Sequence, residues 1–173
     1  AQSLLQTAEG ALEEVHTILL RMRELAVQAA NETLQDKDRD MLQAEVTALE
    51  AEIQRISDDT TWSGMTLLAG GFTSGATFQI GPRNTDTIQI SISAIEPLST
   101  VAKGGLSLSG HISLQANAMG YIKTIDNAIS IISADRGKYG ATMNRLDHAM
   151  ANLQNVATNL ALAKGRIMDA DFA

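Results

Sequence analysis

The chain has 173 residues, a formal net charge of -7 and an aromatic content of 3%, which suits one substantial core or one elongated domain of thin packed rods. Its negative charge would repel a phosphate backbone, which argues against nucleic-acid binding, and its apolar runs are too short for a membrane-spanning helix. The absence of Cys excludes disulfides and thiolate metal sites, and no secretory signal peptide is recognisable.

A first helix is predicted from about Leu4 to Ala30, where Asn31 interrupts an apolar pattern. A seam that repeats about every 3.5 residues is what long helices need to pack along their whole length. The seam consists of Leu5, Ala8, Leu12, Val15, Leu19, Met22, Ala26 and Ala29.

A second helix is predicted to start between Thr33 and Asp36 and to end around Asp58. Thr33 and Asp36 have the spacing of a capping box, in which each side chain accepts a hydrogen bond from a free N–H group of the first turn. The apolar seam of this helix runs from Leu42 to Ile56. Because the connector between the helices has only about five residues, the two helices are expected to be antiparallel.

Residues 59–95 are predicted to form a small β region, because the apolar period changes there from 3.5 to 2. Phe78 and Ile80 alternate with polar residues, and so do the isoleucines of residues 88–92. Residues 81–85 between them contain Gly, Pro and Asn, which favour a turn. Since two strands alone are barely stable, the apolar face of this hairpin is expected to lie on the helices.

Residues 96–112 are predicted to be an exposed link, because they contain Pro97 and the pair Gly104 and Gly105. A last helix is predicted from about Ser113 to Asp169, about 85 Å long. Its seam consists of Ile122, Ile125, Ile129, Ile132, Tyr139, Met143, Leu146, Met150, Leu153, Ala157, Leu160 and Ile167. The elements predict a mainly α fold, an elongated antiparallel bundle of three long helices with a small β-hairpin region. Residues 113–173 would complete the rod that residues 1–58 begin.

Several short strings, in the right order and spread over nearly the whole chain, resemble bacterial flagellin. Residues 6–12 (QTAEGAL) and 21–28 (RMRELAVQ) resemble the first rod helix of that family, and residues 43–46 (QAEV) resemble its second. Residues 78–81 (FQIG) are similar to its hairpin, and residues 144–147 (NRLD) and 169–173 (DADFA) to its returning helix. One departure is Trp62-Ser63-Gly64, where the family usually has Phe-Asn-Gly.

This resemblance implies the rod-shaped core domain of a flagellin, a subunit that assembles head-to-tail into the extracellular flagellar filament used for swimming. The family's terminal helices would precede residue 1 and follow residue 173, and its variable outer domains would stand in place of residues 96–112. Export without a cleaved signal peptide is implied, with other subunits, an export chaperone and the filament cap as partners. Since the terminal helices build the filament channel, the chain as given is expected to be monomeric.

The resemblance also implies an interaction site at Arg21, Leu25 and Glu45. These residues match positions that contact Toll-like receptor 5 in flagellins sensed by animal innate immunity, and the same face packs neighbouring subunits. Arg21 and Leu25 are four residues apart and therefore lie on one side of a helix. Neither belongs to the seam through Met22 and Ala26, so both are expected to be exposed.

Two other functions remain open at this point. A hook–filament junction protein of the same family would share the rod, although residues 21–28 favour flagellin. A cell-surface binding module on a helical stalk could recognise a glycan or a receptor, with Trp62, Phe72 and Phe78 as the available aromatic residues. An enzyme, a cofactor and a metal site are not expected, because the three histidines lack ligand spacing and no nucleophile motif is present.

Overall fold

The computed structural model describes residues 1–95, 97, 105–108 and 110–169, and long helices dominate this part of the chain. The helices are α1 (Gln2–Ala29), α2 (Asp36–Asp59) and α3 (Gln115–Asp169). Short strands follow α2, namely β1 (Thr61–Trp62), β2 (Met65–Thr66), β3 (Ala76–Gln79) and β4 (Thr87–Ile90). The mainly α prediction is confirmed, and each predicted helix boundary lies within two residues of the observed one.

Helix α1 contacts both of the other helices. Its entire predicted seam is buried, from Leu5 to Ala29, and Val46 and Ile53 of α2 are buried in the same core. Burial of an apolar side chain of this size stabilises the fold by roughly 1.5–3 kcal/mol, before the entropy cost of ordering it. This continuous seam therefore holds the rod together.

Polar contacts between the helices fix their directions. Along α1 and α3 the partners run in opposite order, and they are Gln2 with Asp147, Glu9 with Arg136, Arg23 with Asp126, and the Ala30 carbonyl with Gln115. The N–H of Ile112 and the hydroxyl of Tyr121 bond Gln43 and Glu50 of α2 in the same order. Helix α3 is therefore antiparallel to α1 and parallel to α2.

Arg39 joins α1 to α2 at the turn between them. Its side chain is buried, and its Nε donates to the Ala29 carbonyl at 2.9 Å. Its Nη2 donates to the Asn31 carbonyl at 3.0 Å and its Nη1 to Asp36 Oδ1 at 2.8 Å. The last carbonyls of a helix have no partner within the helix, so this guanidinium satisfies groups that would otherwise be left without donors.

The predicted capping pair of Thr33 and Asp36 is wrong. The residue that precedes α2 is Gln35, whose N–H donates to Asp38 Oδ2 at 3.4 Å. The Thr33 N–H instead donates to Asn31 Oδ1 at 3.2 Å, which closes a local turn. This competing turn places Thr33 outside the helix, so its hydroxyl cannot act as the cap.

The predicted hairpin is confirmed as β3 and β4, which pair antiparallel with Phe78 opposite Ile88. Ile88, Ile90 and Ile92 are buried in the helical core, so the apolar face of the hairpin does lie on the helices. The two-residue strands β1 and β2 also form a hairpin, which the sequence pattern did not predict. Their turn places Ser63 and Gly64 at positive φ, 51° and 82°, as a type I′ turn requires.

The prediction that residues 96–112 are exposed is wrong for three apolar residues of this segment, although His111 is exposed. Leu106, Leu108 and Ile112 are buried in the same core as the helices. The Leu108 N–H donates to the Pro97 carbonyl at 2.7 Å, and the Ile112 N–H donates to Gln43 Oε1 at 2.6 Å. The glycines suggested a solvated link, but the leucines between them have apolar surface to bury. Residues 96, 98–104 and 109 lie outside the described part of the chain, and so do residues 170–173.

The last part of α3 extends beyond the start of α1. Tyr139 and Leu146 are buried, whereas Met150 is 51% exposed and Leu160 is 65% exposed. The α3 seam is therefore packed as far as Leu146, and its residues from Met150 onward lie beyond the first residues of α1, where Gln2 contacts Asp147. No helix in the described part of the chain is both long and apolar enough to cross a bilayer.

Candidate interaction surface

Arg21 on α1 and Glu45 on α2 form an ion pair where the two helices meet. The Arg21 Nε donates to Glu45 Oε1 at 2.8 Å, and its Nη1 donates to Glu24 Oε2 at 3.3 Å. Both members of the pair stay accessible, with side chains 51% and 41% exposed. The hydrogen bond that Arg21 donates to Glu45 raises the pKa of Arg21 above its ordinary value. The pair therefore presents two ordered charges to solvent at a fixed position on the rod.

Leu25 does not belong to this exposed surface. Its side chain is 1% exposed, so the prediction that it lies outside the buried seam is wrong. The reason is that α1 contacts two helices, which widens its buried arc beyond the residues of a single 3.5-residue seam. Of the three predicted site residues, the structure brings Arg21 and Glu45 together and places Leu25 in the core.

The exposed apolar side chains of α1 are Leu20 and Val27, which sequence reasoning did not single out. They are 44% and 48% exposed and seven residues apart, so they lie on one side of the helix, with Glu24 between them. We call Leu20, Arg21, Glu24 and Val27 the α1 outer face. The sequence indicates the exposure of Leu20 and Val27, because each directly follows a residue of the seam and is therefore rotated away from the core.

Two polar contacts inside the rod connect its elements. The Arg136 Nε donates to Glu9 Oε1 at 2.7 Å, while the other Glu9 oxygen is buried without a hydrogen-bond partner. The Tyr139 hydroxyl accepts the Ser93 N–H at 3.2 Å, which attaches the segment after β4 to α3. Burial raises the pKa of Tyr139 to about 12. The first contact therefore joins α1 to α3, and the second holds the segment after β4 against α3.

A second buried contact joins α2 to α3. The Tyr121 hydroxyl donates to Glu50 Oε1 at 2.5 Å. Burial raises the pKa of Glu50, although the Tyr121 hydrogen bond acts in the opposite direction, and burial together with Glu50 raises the pKa of Tyr121. The contact links two helices, with Tyr121 buried and Glu50 half-buried.

The three histidines do not meet. His16 lies on α1 and is half-buried, whereas His111 and His148 are exposed at opposite ends of the region that α1 covers. Within residues 1–95, 97, 105–108 and 110–169, no three His, Cys, Asp or Glu side chains come close enough to hold a metal ion.

A rod of long helices with exposed apolar and charged faces defines an elongated structural protein. Residues 1–73 match the bacterial flagellin N-terminal helical region, and residues 122–173 match the bacterial flagellin C-terminal helical region. The crystal structure of Bacillus cereus flagellin superposes with a TM-score of 0.74 at 35% identity, over 94% of this chain and 90% of that one. The chain therefore belongs to the bacterial flagellin family.

Two further comparisons define how far this assignment reaches. The chain is 39% identical to a flagellin from Halalkalibacterium halodurans over 99% of its own length, and it spans 61% of that relative. A putative flagellar hook-associated protein from Vibrio parahaemolyticus superposes with a TM-score of 0.78 over 95% of this chain and 85% of that one. Its identity is 17%, so this likeness shows the fold alone.

Proposed function

We propose that the chain is the rod part of a structural subunit of the bacterial flagellar filament, which packs head-to-tail against other copies for swimming. The observation that carries this proposal is the flagellin match at both ends of the chain together with a rod that exposes apolar side chains on α1. Head-to-tail contacts between identical subunits generate an open filament when the rotation does not close.

The gene that encodes this chain tests the proposal directly. Expressed in a bacterium deleted for its own flagellin, it is expected to restore filaments in electron micrographs and swimming in soft agar. The filaments are expected outside the cell, and the exported protein is expected to keep its N-terminal sequence, since no signal peptide is removed. Cells that export the protein and remain without filaments would contradict the proposal.

The α1 outer face is the part of the rod that contacts the neighbouring subunit. Exposed apolar residues beside an ordered ion pair suit an interface, because burial of Leu20 and Val27 would add to assembly while Arg21 and Glu45 fix the orientation. A neighbouring subunit with complementary charge would bury this face in the filament.

Val27→Asp tests this contact, with Gln6→Asp as its matched control on an exposed part of the same helix. Val27→Asp is expected to shorten or abolish filaments, whereas Gln6→Asp leaves them unchanged. Both variants should unfold at the same temperature, since neither residue is buried. Normal filaments from Val27→Asp would remove the α1 outer face from the interface.

Recognition by Toll-like receptor 5 falls to Arg21 and Glu45, because Leu25 is buried. Leu25→Asp would place a carboxylate in the core and unfold the rod, so it cannot test receptor contact. Arg21→Ala and Glu45→Ala are expected to weaken activation of a receptor-expressing reporter cell while the rod stays folded, and Arg55→Ala serves as the exposed control on α2. Unchanged activation by both variants would overturn the receptor assignment.

The export chaperone and the filament cap are partners of the same proposal. Both would handle the chain before it is packed, when apolar residues such as those of the far end of α3 are exposed. Co-purification of the chain with the chaperone from cells blocked in export tests this part, and recovery of the chain alone would count against it.

The hook–filament junction alternative shares the rod, and the V. parahaemolyticus likeness reflects that shared fold. Flagellin is favoured because identity is 39% to a flagellin and 17% to the hook-associated protein. The glycan-binding alternative has no support from the aromatic residues. Phe72 is buried, and Trp62 and Phe78 are half-buried and packed against the core, so the aromatic residues serve the core at least in part.

A further inference from the structure

The carboxyl group of Glu50 lies where three parts of the rod meet. Glu50 is a half-buried residue of α2, and the buried Tyr121 of α3 donates its hydroxyl to Glu50 Oε1 at 2.5 Å. The titratable groups that act on Glu50 are Tyr121 from α3 and His111 from the segment that leads into α3. In the described part of the chain, no Lys or Arg forms an ion pair with this carboxyl group. Its burial is therefore not offset by a close cation.

Burial sets the direction in which Glu50 responds to pH. A carboxylate taken out of water loses hydration, so burial favours the neutral form and raises the pKa of Glu50. The Tyr121 hydrogen bond and the charge of His111 have smaller effects in the opposite direction. The folded rod therefore binds this proton more tightly than the unfolded chain does. The contribution of Glu50 to stability is complete below about pH 4.3 and is lost as the pH rises through its pKa in the folded rod.

The segment that leads into α3 packs on the same tyrosine. Gly110 lies so close to the Tyr121 ring that an added Cβ would be 2.4 Å from Cδ2. Two residues later, the Ile112 N–H donates to Gln43 Oε1 of α2 at 2.6 Å. We call residues 110–112 the strap, because they contact both α2 and α3. A movement of the Tyr121 ring is therefore passed on to the strap.

His111 places a titratable side chain on the strap itself. It is exposed, and it lines one open cleft of about 450 Å³ together with Gly110 and Tyr121. A positive charge on His111 attracts the ionised form of Glu50, which is why it lowers the pKa of that carboxyl group. Strap, tyrosine and carboxyl group thus form one cluster that joins α2 to α3.

We propose that the carboxyl group of Glu50 is a proton-binding site that holds the strap firmly in acid and loosens it when the carboxyl group ionises. The neutral group stays buried beside the Tyr121 hydroxyl, so the ring and the strap pack closely. The ionised group favours hydration, which draws water towards the contact between α2 and Tyr121. All of these groups belong to one copy of the chain, so the device stands or falls independently of the proposed function.

Carbon-13 NMR of the purified chain, labelled at the glutamate carboxyl groups, tests the proton site directly. Glu50→Gln identifies the Glu50 signal, which is expected to titrate at a higher pH than the Glu52 signal. The Glu52 pKa is lowered by its hydrogen bond with Arg55. Tyr121→Phe is expected to move the Glu50 midpoint to still higher pH, because it removes a hydrogen bond that favours the ionised form. A Glu50 midpoint at or below that of Glu52 would overturn the proposal.

Two matched substitutions measure the consequence for folding by urea unfolding in acid and at neutral pH. Glu50→Gln keeps an acceptor for the Tyr121 hydroxyl and cannot ionise, so it is expected to match the unchanged chain in acid and to unfold less readily at neutral pH. Glu52→Gln, two residues away, is expected to match in acid and to unfold more readily at neutral pH, since it loses the pair with Arg55. The same trend for both variants would contradict the assignment to Glu50.

Amide exchange of Ile112 follows the strap, because its N–H is bonded to Gln43. After correction for the intrinsic effect of pH, its protection is expected to fall as Glu50 ionises and to stay constant in Glu50→Gln. The amide of Leu12, in the buried seam of α1, is the control for opening of the whole rod. Ile112 protection that follows Leu12 at every pH would mean that Glu50 does not act on the strap.

Discussion

The two parts of α3 have the same pattern and opposite surroundings. From Gln115 to Leu146 its apolar seam is packed against α1, whereas from Met150 to Met168 the same spacing is exposed to solvent. Periodicity records which side of a helix is suited to packing, because it depends only on residue spacing. Whether that side is covered depends on the length and position of the neighbouring helix, which the seam itself does not encode.

The difference between the two parts of α3 is tested by the same substitution, Ile to Ala, made once in each part. Ile125→Ala removes a fully buried side chain and is expected to lower the free energy of unfolding by about 2–5 kcal/mol. Ile167→Ala removes a side chain that is 76% exposed and is expected to change it by less than about 0.5 kcal/mol. Urea unfolding followed by circular dichroism measures both values. Equal losses would mean that residues 150–168 are packed in solution.

Arg39→Ala tests how much the turn between α1 and α2 contributes to the free energy of unfolding. The substitution leaves the Ala29 and Asn31 carbonyls without their donor, and a loss of about 2–3 kcal/mol is expected. Arg23→Ala, which breaks a half-exposed pair with Asp126, is expected to cost about 0–1 kcal/mol. Thermal unfolding of the two variants compares them, and a smaller loss for Arg39→Ala than for Arg23→Ala would contradict the role given to the turn.

Tyr139 makes the packed part sensitive to high pH. Its pKa is about 12 in the folded rod and about 10 in an unfolded chain, so the folded state holds this proton more tightly. The contribution to stability is therefore complete below pH 10 and is lost as the pH rises from about 10 to 12. Tyr139→Phe should reduce this loss in a urea titration at several pH values. An identical pH profile for the variant would remove Tyr139 as a cause.

Tyr139→Phe also removes the acceptor of the Ser93 N–H. At neutral pH this should cost about 1 kcal/mol, and faster amide exchange in the segment after β4 should accompany the loss, with no change in α3 beyond Met150.

Ser63→Asn, in the turn between β1 and β2, is expected to have the smallest effect on the free energy of unfolding. Ser63 has a φ of 51°, in the left-handed region, where Asn is tolerated better than Ser. A gain of about 0.5 kcal/mol is expected, because the turn would then have the Asn-Gly pair that type I′ hairpins favour. Ser74→Asn, at another exposed loop position, is the control. Destabilisation by Ser63→Asn would contradict the turn assignment.

Much of the fold was predictable from the sequence, because long seams and strong turn residues act locally. Helix boundaries at Gln2, Asp59 and Asp169 agree with the predicted ones within two residues. The errors lie where tertiary contacts override a local pattern. Thr33 was predicted to cap α2, but its N–H donates to Asn31 in a local turn that keeps Thr33 outside the helix. Leu106 lies in a glycine-rich segment and is nevertheless buried, because the core offers it a place.

The candidate surface was predictable only in part. The resemblance located Arg21 and Glu45, and the structure places them in one ion pair. Leu25 was predicted to be exposed but is buried. A seam that repeats every 3.5 residues describes packing against one neighbouring helix, and α1 contacts two. Leu20 and Val27 were passed over, although the same periodicity puts them outside the core.

The extension of α3 beyond α1 means that its 55 residues do not share one stability. Amide protons near Ile125 can exchange only when the core opens. Amide protons of residues 150–168 can exchange after only a few helical turns unfold locally. Deuterium should therefore enter α3 from its C-terminal end and advance towards Leu146. The helix is continuous in shape, yet its exposed half would open at a lower free energy than its packed half.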